Sequence, residues 1–98
     1  MAGMSTYSEY TVSSTVKTLG AIPDGIKALT ETAIAIIGVE GDAVRYRTDG
    51  FAPTATVGHK LNVGDTLILQ GVGRMQDIKF IRVTTDATLR VSFEAYVW

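Results

Sequence analysis

"TAIAIIGVEGDAVRYRTDG", Thr32 to Gly50, is where two folds compete. Its first half, taken with the residues before it from Gly25, can be counted as a helix: Ile26, Leu29, Ala33 and Ile36 keep a helical spacing, with Asp24 placed as an N-cap and Gly38 as a stop. Against a helix, Thr30, Thr32, Ile34, Ile36, Ile37 and Val39 crowd β-branched side chains into one short run, and their restricted χ1 favours extended chain. A glycine-acid turn, Gly41-Asp42, then leads into "AVRYR", where Val44 and Tyr46 alternate with Arg45 and Arg47 before Asp49-Gly50 breaks the pattern. The stretch therefore reads as a buried strand over 31–40, with at most a helical turn before it, followed by a half-buried strand.

Toward the N-terminus, "VKTLGAI" (Val16 to Ile22) reads as a short strand ended by Pro23-Asp24-Gly25. The first fifteen residues are rich in Ser and Thr, with Tyr7 and Tyr10 as the main anchors. They read as an arm over 1–15 that pairs as an edge strand or lies on a neighbouring subunit, ahead of a β-sandwich domain over 16–98. Toward the C-terminus, "TLILQG" (Thr66 to Gly71) lies between the turn "NVGD" and a connecting loop "GVGRMQD", and "IKFIRV" and "ATLRVSFEAYVW" follow. A three-residue loop at Thr85, Asp86 and Ala87 would join these last two as a hairpin, setting Val83 opposite Leu89 and Ile81 opposite Val91. The same register puts Arg82 opposite Arg90, a like-charge pair that suits a wet surface or an interface rim. Six or seven short strands between Gly, Asp and Pro turns, with no alternating helices, predict an all-β fold: one small antiparallel β-sandwich or barrel with an extended N-terminal arm.

Ninety-eight residues suit one domain. The net charge of -1, from nine basic and ten acidic residues, supplies no positive field for nucleic acid or an anionic membrane, so neither is expected as a partner. The absence of cysteine removes disulfides and thiolate chemistry together. The longest apolar run, Ala33 to Val39, is far below the roughly 20 residues of a spanning helix, and the first ten residues carry no export signal; a soluble, unexported chain is expected.

Catalytic signals are weak. The single histidine, His59, stands in a glycine-bounded turn without cysteine or a carboxylate pair beside it, which favours a surface position over a metal or catalytic role. Serines cluster in the arm without a nucleophile elbow, and "GVGRMQD" carries Gln76 where a dinucleotide loop needs its third glycine. Six aspartates, at 24, 42, 49, 65, 77 and 86, adjoin turns, where their carboxylates cap local backbone donors, and no run has the alternating oxygens of a calcium loop. No enzyme, metal or cofactor is expected. Arg45, Arg47, Arg74, Lys79, Arg82 and Arg90, with Tyr46 and Phe51, could form a stacking and basic surface, but the interspersed acids fit a solvated or intersubunit charge network better.

The landmarks Glu40-Gly41, Val44-Arg45-Tyr46-Arg47, Asp49-Gly50, Pro53-Thr54-Ala55, Gly58, Gly64, Leu67 to Gly71, Phe80-Ile81-Arg82 and Leu89 to Phe93 resemble small β-sandwich proteins encoded among the structural genes of tailed bacteriophages. The resemblance covers about the last two-thirds of the chain. It implies a non-enzymatic virion component made in the bacterial cytoplasm: first a capsid decoration or cementing protein on the major capsid protein shell, otherwise a head-tail connector, tail or baseplate accessory protein. The implied partners are phage capsid or tail proteins and further copies of the chain, a trimer among the forms it admits. The expected interface residues are Tyr7, Tyr10, Arg45, Arg47, Phe51, Arg82, Arg90 and Trp98, the last because an exposed terminal indole would leave a large apolar surface unused. A carbohydrate-binding module, with Tyr46, Phe51 or Trp98 on a sugar face, is the alternative from another class.

Overall fold

The computed structural model describes residues 2–20 and 33–97, and the side chains of 6–20 and 33–94 among them. Trp98 and the helix-or-strand question over 26–32 lie outside the described residues.

Two four-stranded antiparallel sheets pack face to face as a sandwich. One holds β1 (Ala2–Val12), β8 (Ala87–Val97), β3 (Ala33–Glu40) and β6 (Thr66–Gln70), in that order; the other holds β2 (Lys17–Thr18), β7 (Lys79–Arg82), β4 (Val44–Arg47) and β5 (His59–Leu61). The first sheet is aligned by alternation. Ala33, Ala35, Ile37 and Val39 of β3 turn inward beside Ala87, Leu89, Val91 and Phe93 of β8, and Leu69 of β6 joins them. From the facing sheet Val44, Leu61 and Phe80 close the core.

The described strands alternate between the sheets in chain order, with only β4 and β5 consecutive in one sheet. This overturns the expected terminal hairpin. β7 pairs with β2 and β4, whereas β8 pairs with β1 and β3, so Val83 does not face Leu89, Ile81 does not face Val91, and Arg82 does not face Arg90. Residues 83–86 are a corner, and the carboxylate of Asp42 holds it. Its Oδ2 accepts the N–H groups of Thr84 at 3.0 Å and Thr85 at 2.7 Å, while Val83 N–H reaches Ala43 O at 3.1 Å and Arg82 N–H reaches Ser13 O at 3.1 Å. Gly41, with φ of 88°, makes the adjacent turn, and a Cβ there would stand 3.3 Å from Asp86 O.

Those backbone donors, Thr85 first and then Ala43 and Thr84, hold the Asp42 carboxyl below its ordinary value. A depressed carboxylate stabilises the fold fully above its unfolded pKa and loses that contribution as pH falls through its folded value. Asp42→Ala is therefore expected to melt below the wild type at neutral pH, with the gap closing as pH falls below about 4. Thermal unfolding across pH checks it; a gap independent of pH would assign the loss to something other than the ionised carboxylate.

One further difference from the sequence reading concerns a local element. The segment after β6 is a short helix, α1 (Val72–Asp77), whose Val72 and Met75 are buried, together with Ile78 just beyond it. The first residues pair as an edge strand, one of the two placements expected of them: β1 is joined to β8 over 11 pairs from Ala2↔Val97 to Val12↔Ala87.

Candidate interaction surfaces

The outer face of the β1-β8-β3-β6 sheet follows from the same alternation that builds the core. If the odd residues of β3 and β8 turn inward, the even ones turn out: Ile34, Ile36, Gly38 and Glu40, beside Thr88, Arg90, Ser92 and Glu94. The register then lines up Tyr7, Ser92, Ile36 and Ile68 as one row across all four strands. At roughly 4.8 Å between strands, that row is about 14 Å long. Tyr7 is 55% exposed and Ile68 61%, and Ile34 borders the row two residues along β3 from the half-buried Ile36.

Arg90 anchors the neighbouring row. Its guanidinium donates to Tyr7 Oη at 3.0 Å, to Glu9 Oε1 at 2.5 Å and to Glu40 Oε2 at 2.8 Å, drawing side chains of three strands together. All the ionic partners remain about half exposed, so the contact orients side chains rather than stabilising the fold appreciably. Between this cluster and the turn before β6 runs an open groove of about 320 Å³, with Val39, Glu40, Val63, Gly64, Asp65 and Arg90 along it.

The second surface is the long loop between β4 and β5. Arg45 fastens it, donating through Nε to Ala55 O at 2.9 Å and through a terminal nitrogen to Gly58 O at 3.0 Å. Gly58, with φ of 127°, lets the chain pass close: a Cβ there would stand 3.0 Å from Tyr46 O. Arg47 forms a two-pronged ion pair with Asp49 and lies 5.6 Å over the ring of Phe51, which is 67% exposed. The guanidinium of Arg47 holds the Asp49 carboxyl below its ordinary value, assisted by the Phe51 N–H. An open cleft of about 420 Å³ separates Arg47, Thr48 and Asp49 from Val57, Gly58 and His59. With the two charges joined to each other, the cleft offers an ion pair rather than a bare cation.

The expected interface residues thus fall into separate groups. Tyr7 and Arg90 share the outer sheet face, and Arg47 and Phe51 share the loop. Arg45 acts inside the loop, and Arg82 pairs with Asp86 at the corner. Tyr10 lies on the inward side of β1, half-buried against the core, its hydroxyl donating to Leu19 O at 2.9 Å; burial pushes that hydroxyl's pKa up. His59 stands on β5 rather than in a turn, exposed, 5.3 Å from the Tyr46 ring. Among the described residues, no three or more His, Cys, Asp or Glu gather as a metal-binding group. The chain matches no protein-family model, curated protein or solved structure.

Ile36 and Ile68 are the surface residues the sequence reading missed. A signal was present: "AIAIIGV" and "LIL" are apolar on both faces, whereas an antiparallel sheet with one solvated face alternates apolar and polar. A continuous run in such a sheet calls for a second covered face.

Proposed function

We propose that this protein is a non-enzymatic structural component of a tailed-phage virion, a decoration or cementing protein that docks on the capsid shell through the outer face of its β1-β8-β3-β6 sheet. The observation that carries the docking role is the outward-facing row of Tyr7, Ser92, Ile36 and Ile68, with Tyr7 and Ile68 exposed at its ends, beside the Arg90 cluster. Apolar side chains aligned across a sheet, rimmed by polar groups, are what an interface core requires. The resemblance of the segment from Val39 to Ala95 to phage structural sandwiches is what favours a phage particle.

The test is co-sedimentation of the purified chain with expanded capsids of the encoding phage. Saturable, stoichiometric binding is the expected result; a chain left in the supernatant overturns the decoration role and moves the connector, tail or baseplate position ahead of it.

A carbohydrate-binding reading draws support from the loop, where exposed Phe51 stands beside the Arg47–Asp49 pair and an open cleft. It requires a saturable change in Trp98 or Tyr fluorescence on titration with a glycan panel.

A further inference from the structure

We infer that two copies of the chain join edge to edge through β1, antiparallel and about a two-fold axis at Tyr7, to form one continuous eight-stranded sheet. This deepens the assembly role proposed above by naming the self-contact, and it rests on that reading only for its purpose.

Among the described residues β1 ends the sheet order and pairs with β8 alone, so its other side has no described backbone partner. It is also the only described edge strand of real length: β1 spans 11 residues, against 5 for β6, 3 for β5 and 2 for β2. Natural edges of this kind are blunted by proline, lysine, a bulge or an inward-pointing charge. β1 has none of these. Its sequence, "AGMSTYSEYTV", contains no proline or lysine, and its pairing with β8 runs without a skipped residue. The sole charge on the strand, Glu9, is held by Arg90 of its own chain.

The register follows from symmetry and charge. A two-fold pairing that uses the whole strand must centre on its middle residue, Tyr7, which places each Tyr7 opposite Tyr7 of the second copy. Glu9 then stands opposite Ser5 and Thr11 opposite Gly3, so no like charges meet. Sliding the axis to Glu9 would oppose two carboxylates and leave much of each strand unpaired. The chosen register also carries the Tyr7, Ser92, Ile36 and Ile68 row of one copy straight into that of the other. An isologous contact of this kind closes at two chains, which selects a pair over a trimer.

The experiment uses the full chain, whose lack of cysteine makes single-cysteine variants clean probes. Tyr7→Cys is expected to cross-link to dimer under mild oxidation, because directly opposed Cα atoms lie about 4.5–5.5 Å apart in an antiparallel pair, within the span a disulfide bridges. Phe51→Cys, on the distant loop, is expected to stay largely monomeric. By sedimentation the unmodified chain should be a dimer and Tyr7→Lys, which opposes two ammonium groups, should dissociate at least about tenfold more readily. A monomeric wild type overturns the inference, as does a dimer in which Tyr7→Cys cross-links no better than Phe51→Cys. Shell binding by a monomer would sink the pair while leaving the decoration role standing, and a β1-linked dimer that ignores capsids would do the reverse.

Discussion

Phe80→Ala is expected to lower the unfolding free energy by about 3–5 kcal/mol, the range for emptying a buried phenylalanine site. Phe80 sits fully buried on β7, in register with Tyr46 of β4 and Lys17 of β2, its ring 6.2 Å from that of Tyr46. Its neighbours belong to two sheets joined through corners, so they cannot collapse into the void without moving backbone. For a domain whose total stability is about 5–15 kcal/mol, the loss removes a large share. Urea unfolding should show a lower midpoint at unchanged slope. Phe51→Ala provides the contrast: that ring is 67% exposed, and its removal should change stability by no more than about 0.5 kcal/mol. A Phe80→Ala variant as stable as the wild type would mean that this side chain does not fill the core.

On the proposed docking role, Ile68→Lys is expected to weaken capsid binding by at least about 30-fold, the effect of losing an apolar contact worth 2 kcal/mol or more. The folded monomer should barely register the change, because Ile68 is 61% exposed on the edge strand β6. Ile36→Thr, which keeps a β-branched side chain at the centre of the row, should weaken binding to a lesser degree. Co-sedimentation of each variant, with thermal unfolding alongside, separates docking from folding. Phe51→Ala should bind capsids like the wild type. If instead Phe51→Ala abolishes binding and Ile68→Lys leaves it intact, the docking surface is the loop and not the sheet face.

How far this molecule can be read from its sequence depends on the range of the forces involved. The strand character of Ala33–Glu40 was legible because β-branched crowding is a local property, and the turns at Gly41, Gly50 and Gly64 were legible because each needs a positive φ, which all three adopt. The separation of β7 and β8 into different sheets was not legible. Their local alternation suits a hairpin, but the corner is drawn by Asp42, more than forty residues away in sequence, whose carboxylate takes the N–H of Thr85, in the supposed loop, and that of Thr84 just before it. The α1 helix left a fainter trace, since Val72, Met75 and Ile78 recur every third residue, while Gly71 and Gly73 masked it with poor helix propensity. For the candidate surface, Tyr7 and Arg90 were identifiable as exposed anchors, but their meeting with Ile36 and Ile68 required the strand order.

The pairing of β1 with β8 also sets a schedule. Of the described strands β1 is made first, and the only one it pairs with, β8, is made last, so during synthesis at about 5–20 residues per second it waits several seconds for that partner. A strand rich in leucine and isoleucine would spend that interval seeking other nascent chains. β1 carries serine, threonine and tyrosine instead, extended enough to add to a sheet and polar enough to remain in water until β8 emerges.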